Sequence, residues 1–421
     1  MANVALVDLL FHWPPTGGSW VDLVQIARRL LADGHRVRLF CPRMTRYFPR
    51  GQYRDFPTLA VETLPVSPSR YRPRVLGPRL RAALDRFAPH LVFFGDGYHM
   101  KPALLPYLSH HPTIVRFYAH EVVCVNVRHY LFREGKVCPD GNFLTDPARC
   151  HRCYFPGALD VLKHRAAIAL GLPDRRWALH LSHEYLYSGA GTAAYRRDLV
   201  GWLRQARELI VYNAAQAERL SGIGVPVHCV PSGVVTKRFA GVPLPEVKSD
   251  RPLRVLLAGR AEDPLKGLSV LLAAAEELQR RGIAVEVHAG GDVARRPGLV
   301  VVPWRRPEEL ASLYAGVDLV VAASLWEEPF GIAAVEAMAA GRPVVASNLG
   351  GLSEIVADGE TGALVPAGDA IALADAIAVY AADRALLAEH GLCARQRATG
   401  LFDWERVWGE RLAPILAPYL A

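Results

Sequence analysis

The 421 residues exclude a single small module: at about 150 residues per domain they make two large domains or three ordinary ones. Hydrophobic residues at 51% and charged residues at 21% exclude a disordered or collagen-like chain. The longest apolar run, Val317 to Trp326 with Asp318 inside it, falls short of the ~20 residues a membrane span needs. The net charge of +8 hides an asymmetry, because residues 1–250 hold 33 Lys and Arg against 19 Asp and Glu while residues 251–421 hold 16 against 22. Halves of opposite sign predict two domains with different partners. No Lys or Arg precedes the first apolar run, and Asp8 interrupts it, so no secretory signal is expected and the predicted location is the cytoplasm.

In chain order, Val4 to Leu10 is a short apolar run of the buried parallel-strand type, His12 to Ser19 a Pro/Gly loop, and Trp20 to Ala32 a helix by its apolar spacing. Gly34 ends that helix, and Arg36 to Cys41 alternates as a second strand. Leu91-Val-Phe-Phe, Thr113 to Tyr118 and Glu208 to Tyr212 read as further strands of one sheet. The densest basic stretch, Ser69 to Phe87, carries Arg70, Arg72, Arg74, Arg79, Arg81 and Arg86 against Asp85 alone. It suits a polyanion or an anionic lipid surface, at the inner membrane face if the latter. No zinc-finger, homeodomain or RNA-binding signature points to nucleic acid.

After residue 250 the pattern restarts. Leu253 to Gly259, Ala284 to Gly290, Leu299 to Val302, Val317 to Ala322 and Pro343 to Ser347 are strand-like, with Ala/Leu-rich helices between them. Ser232 to Arg251, rich in Pro, Gly and Lys, is the expected hinge. Strands alternating with helices in both halves predict an α/β chain of two doubly wound, Rossmann-like parallel-sheet domains facing a cleft.

The most informative stretch is Ser324-Leu-Trp-Glu-Glu-Pro-Phe-Gly-Ile-Ala-Ala-Val-Glu-Ala-Met, continuing to Gly350-Gly351. Pro329, Phe330 and Gly331 open a predicted helix whose first amides suit an anion. Glu336 lies among apolar neighbours, where a carboxylate needs donors, and a ribose diol supplies two. Glu328, eight residues earlier, sits on the preceding loop. A second stretch, Gly259-Arg260-Ala-Glu-Asp-Pro-Leu-Lys266-Gly267, puts two cations after the first strand of the second half, placed for a diphosphate.

Together these residues resemble the E-x(7)-E signature of retaining nucleotide-sugar glycosyltransferases of the GT-B fold, the group 1 or family 4 enzymes. The resemblance implies that Glu328 contacts hydroxyls of the donor sugar, Glu336 holds the ribose, and amides at Phe330 and Gly331 bind the diphosphate and sugar. Arg260 and Lys266 resemble the family's phosphate-binding pair. Gly17 and Gly18, before the first helix, resemble its Gly-Gly facing phosphate and acceptor, and His120 resembles the histidine beside the sugar ring. Glu121 stands where the family usually has Asp, and Trp304 where it often has Gly. Val230 to Phe239 and Gly359 to Asp369 resemble its interdomain stretch and a late turn. The implied organisation is an acceptor-side domain over 1–232 and a donor domain over 233–402, with 403–421 a helix returning to the first domain.

The implied function is transfer of a sugar from a nucleoside diphosphate to a hydroxyl acceptor in glycan, polysaccharide or glycolipid assembly. It needs no catalytic cofactor, and the sequence has no D-x-D motif of the metal-dependent type. A sugar-nucleotide epimerase on the same fold, or an inactive sugar-nucleotide-binding subunit, are the alternatives. Cys124, Cys138, Cys150 and Cys153, separated by 13, 11 and 2 residues, fall in a turn-rich insertion at about 121–156 and suit a structural zinc. Free thiols or disulfides are the other readings. Cys41, Cys229 and Cys393 read as small core residues.

Overall fold

The computed structural model describes residues 1–15, 17–44, 50–53, 56, 59–139, 142–155, 157–170, 178–247 and 251–421, with the backbone alone for 178–182. The chain divides into two units: one of residues 1–131, 138–230 and 408–421, the other of 132–137 and 231–407. Parts of the predicted loop at 12–19, hinge at 232–251 and insertion at 121–156 lie outside the described residues.

The first unit is built on a seven-stranded sheet in the order Val227–Cys229, Glu208–Val211, Thr113–Arg116, Leu91–Phe94, Asn3–Val7, Arg36–Arg43, Ala60–Pro65. Every pair is parallel. The chain winds outward from Asn3–Val7 in one direction, then returns to its other side at Leu91–Phe94, which is the doubly wound topology the sequence predicts. Central strands are apolar on both faces because helices cover both: all four residues of Leu91–Phe94 are buried.

The second unit repeats the plan with six parallel strands in the order Leu299–Val302, Val285–Gly290, Leu253–Leu257, Leu319–Ala322, Val344–Ser347, Gly362–Val365. Its winding reverses between Leu253–Leu257 and Leu319–Ala322. Loops leaving the carboxyl ends of those two strands therefore flank the crevice where open α/β sheets take ligands. Its core gathers Leu253, Val255 and Leu257 with Leu271 and Leu278 of the helix Leu268–Arg280 and Leu373 and Ile377 of Ala370–Ala382.

Three strands of the two large sheets escape the sequence reading: Ala60–Pro65, Val227–Cys229 and Gly362–Val365, the last inside the stretch read as a late turn. Each is an edge strand. With one neighbour instead of two, an edge strand keeps polar and turn residues, and the apolar run that marks a central strand is diluted. The same position corrects the reading of Cys229, which ends an edge strand and is exposed; Cys393 is half-buried, and Cys41 alone of the three is a core residue.

Candidate active site

Arg260 follows the strand Leu253–Leu257 at the reversal point. The amide of Ala258 donates to Val321 O at 2.7 Å and that of Ala261 to Gly290 O at 3.0 Å, tying the loop's start to both neighbouring strands. Asp263 then accepts from the Leu265 amide at 3.1 Å and starts a 3-10 turn, Pro264–Lys266. Its carboxylate also lies 3.9 Å from the Arg260 guanidinium.

Gly267 ends that turn and begins the helix Leu268–Arg280 at φ +79°. A Cβ there would stand 2.0 Å from the Ala323 carbonyl oxygen, so only glycine lets the turn close on the loop after Leu319–Ala322. Leu325 N–H completes the contact by donating to Leu265 O at 2.8 Å.

This closure brings Lys266 to Glu328. Its ammonium donates to Glu328 Oε1 at 2.8 Å, and the Ser324 hydroxyl donates to the same oxygen. The five-residue gap between Arg260 and Lys266 thus leaves the lysine turned inward, its side chain 18% exposed. Glu328 is itself buried, a charge kept there by the cation and hydroxyl it meets.

Gly350 and Gly351 hold the other side of this loop. Gly351 N–H donates to Glu328 O at 2.7 Å, and a Cβ on Gly350 or Gly351 would lie 2.6 Å from Glu328 O or 2.5 Å from Pro329 O. Gly331, at φ +132°, caps the helix Ile332–Ala339. The Phe330 ring is buried edge-on to Phe402 at 5.7 Å and serves the core.

Glu336 projects from that helix half-buried, with the Tyr314 hydroxyl 3.4 Å from Oε2. Burial raises its pKa to about 7, against the opposing pull of the Tyr314 hydroxyl and the Arg238 charge. Ionising it therefore lowers the free protein's stability as pH climbs from the ordinary 4.5 through about 7. Trp304 is 61% exposed and fills no core space.

In the first unit, Gly17 precedes the helix Gly18–Ala32 in an extended conformation, with only ordinary contacts open to a Cβ. No conformational need calls for glycine at 17; its smallness leaves the helix start open. His120 is buried in a tight loop, its amide donating to Val127 O at 3.0 Å and its ring 5.4 Å from that of His129. Glu121 serves the fold: Lys101 reaches its carboxylate at 3.2 Å and Arg116 O at 2.8 Å, all within the buried interior.

The four clustered cysteines share one folded segment. Cys138 N–H donates to His129 O at 2.9 Å, and Cys124 Sγ lies 3.0 Å from Asn126 Oδ1. Cys150 and Cys153 are one turn apart on the helix Pro147–Tyr154, buried and exposed respectively. Among the described residues no three His, Cys, Asp or Glu side chains, these cysteines included, stand close enough together to hold a metal ion.

Of the sequence-predicted residues, the structure joins Lys266 and Glu328 directly, places Arg260 at the same reversal point, and sets Glu336 on the following helix. Ser324, Tyr314 and Arg238 were missed. Ser324 lies inside the quoted run, four residues before Glu328; Arg238 lies inside the interdomain stretch with no role assigned there, Tyr314 belongs to no motif, and only the fold brings them near Glu336.

Residues 252–383 match the family described as glycosyl transferases group 1. The chain is 33% identical over 223 residues to a phosphatidyl-myo-inositol mannosyltransferase of Mycolicibacterium smegmatis, covering 51% of this chain and 56% of that protein. It is likewise 33% identical over 233 residues to a D-inositol 3-phosphate glycosyltransferase of Nocardia farcinica, covering 49% of each. The chain thus spans about half the length of these curated relatives. Among solved structures, sucrose-phosphate synthase from Thermosynechococcus elongatus superposes with a TM-score of 0.64 at 21% identity, covering 99% of this chain and 100% of that one. Anabaena HepE, solved with UDP-glucose, superposes with a TM-score of 0.63 at 17% identity and the same coverage.

The class is that of the GT-B glycosyltransferase fold.

Proposed function

We propose that the protein is a retaining, metal-independent glycosyltransferase that moves a sugar from a nucleoside diphosphate to a hydroxyl acceptor in glycan, polysaccharide or glycolipid assembly. The observation that carries this reading is the Lys266–Glu328–Ser324 cluster, with Arg260, at the winding reversal of the second sheet. Arg260, Lys266 and the backbone at Phe330 and Gly331 receive the diphosphate. Glu328 takes hydroxyls of the sugar and Glu336 those of the ribose. Anabaena HepE, solved with UDP and with UDP-glucose, supports a nucleotide-sugar donor. In the first unit, Gly17, Gly18 and His120 are the substrate-facing positions.

In the proposed step the acceptor oxygen bonds to the anomeric carbon while the bond from that carbon to the diphosphate oxygen breaks. The acceptor proton passes to the departing diphosphate, so no protein base is required. The two cations stabilise charge that grows as the diphosphate leaves.

Thermal-shift titration with uridine, guanosine and adenosine diphosphates and their sugars tests the reading. One nucleotide series should raise the melting temperature, and Glu336→Ala should weaken it by about 1–3 kcal/mol through the lost ribose hydrogen bonds. Because those hydroxyls donate to the ionised carboxylate, donor affinity should rise as pH passes upward through about 7. Radiolabelled donor with acceptor should yield product in the presence of EDTA. Strict magnesium dependence, epimerised donor without transfer, or binding without turnover would each reject the assignment.

We also propose that Cys124, Cys138, Cys150 and Cys153 close around a structural zinc. Supporting this, Cys150 and Cys153 lie one turn apart on the helix Pro147–Tyr154, in the same folded segment as Cys124 and Cys138. Burial pushes the Cys124 and Cys150 thiols up to about 12, so metal binding would expel protons and weaken in acid. Metal analysis of protein purified without a His-tag should find close to one zinc per chain. Less than a tenth of an equivalent, with every thiol titrating freely, would end the proposal.

A further inference from the structure

We infer that the helix Ala158–Leu170 of the first unit is a membrane-docking element that seats the protein on an anionic bilayer. This goes beyond the proposed reaction and does not depend on it. The helix carries its larger apolar side chains outward: Leu159, Leu162 and Leu170 are 70%, 62% and 74% exposed. With exposed Ala166 they recur at i, i+3, i+7 and i+11, which lines them along one side of the helix. Its inward side is anchored separately, by buried Ile168 and by His164, whose ring meets Phe155 at 5.3 Å. Single exposed leucines are ordinary, but a continuous outward stripe on a helix already anchored by its other side is not.

Charge identifies what covers it. Lys163 and Arg165, both exposed, lie on either side of the stripe. The helix also packs against the turn Pro68–Arg70, where the arginine-rich stretch begins. Part of that stretch is consumed by the fold: Arg79 donates to Pro65 O at 2.8 Å, Arg81 lies 3.6 Å from Asp85, and Arg86 pairs with Glu62 at 2.8 Å. The side chains of Arg70 and Arg74 are exposed, and among the described residues neither guanidinium has a hydrogen-bond or ion-pair partner.

Leucines flanked by cations match the two layers of a bilayer surface, acyl boundary and phosphate. A second copy of this chain, docked stripe to stripe, would set Lys163 and Arg165 near their own copies, where like charges repel.

The test is flotation of the full chain with vesicles of equal parts phosphatidylcholine and phosphatidylglycerol. Wild type should float at low salt and be released at high salt. The double variant Leu159→Ser, Leu162→Ser should bind about a hundred-fold more weakly, at roughly ten-fold per leucine. Arg70→Gln with Arg74→Gln should lose about twenty-five-fold at low salt, at about five-fold per charge, and flatten the salt dependence. These positions are exposed, so the melting temperature should stay at the wild-type value and separate lost docking from lost folding. Failure of wild type to float, equal binding to pure phosphatidylcholine, or leucine variants that float like wild type would overturn the inference. So would light scattering that shows a dimer which the leucine substitutions dissociate, since the stripe would then belong to a second copy.

Discussion

Arg260→Ala is expected to lower turnover by about a hundred- to a thousand-fold with a smaller change in donor affinity, the loss typical of removing one preorganised charge from a developing anion. The asymmetry follows from when the charge appears: the diphosphate carries more negative charge at the anomeric bond in the transition state than in the bound donor. Lys266→Ala should cost at least as much, because its ammonium also holds buried Glu328 at 2.8 Å. Without it Ser324 alone would support that buried carboxylate. Lys266→Arg keeps the charge but replaces a compact ammonium with a wide planar fork, so partial recovery is expected. Steady-state kinetics that separate turnover from KM decide the matter. Wild-type turnover in both alanine variants would remove these residues from the chemistry.

The second large effect concerns stability. Gly267→Ala should destabilise the protein by about 3 kcal/mol or more, since it combines left-handed strain of about 1–2 kcal/mol with a steric conflict. The Cβ would lie 2.0 Å from the Ala323 carbonyl oxygen, a backbone atom that cannot rotate aside. At roughly 2–4 °C per kcal/mol for a unit of this size, the melting midpoint should drop by about 6 °C or more. Gly282→Ala separates the two contributions, because Gly282 has φ +75° with nothing within 4 Å of a Cβ. It should show the strain alone. Gly241→Ala, with neither strain nor neighbour, should be close to neutral. Equal melting of Gly267→Ala and Gly282→Ala would mean that the turn does not depend on its close approach to Ala323.

Local signals carried the centre of each sheet and, of the four edge strands, only Leu299–Val302, an unbroken apolar run. Leu91-Val-Phe-Phe and Leu253 to Leu257 are largely buried, so apolar runs identify them; Ala60–Pro65, paired on one side, keeps Glu62, Thr63 and Pro65 and shows no such run. The candidate site divides in the same way. Arg260, Lys266, Glu328 and Glu336 fall in two continuous stretches whose spacing is visible in one dimension. Tyr314 lies 22 residues before the carboxylate it touches, and Arg238 is farther still, so only the folded chain brings them to Glu336. Glu121 shows the reverse limit: the sequence places it beside His120 and leaves its role open, while its partner Lys101 is 20 residues away.

Residues 408–421 belong to the first unit, although the intervening residues 231–407 form most of the second. Trp408 Nε1 donates to Asp33 at 3.1 Å and the Tyr419 hydroxyl to Glu208 at 2.9 Å, so this segment ties onto the first helix's end and a strand of the first sheet. On the ribosome, the first unit cannot complete its fold when residue 230 emerges. At about 5–20 residues per second it waits on the order of ten seconds or more while the second unit is made. During that interval the surface meant for residues 408–421 is bare, and a chaperone that holds nascent chains would find its purchase there.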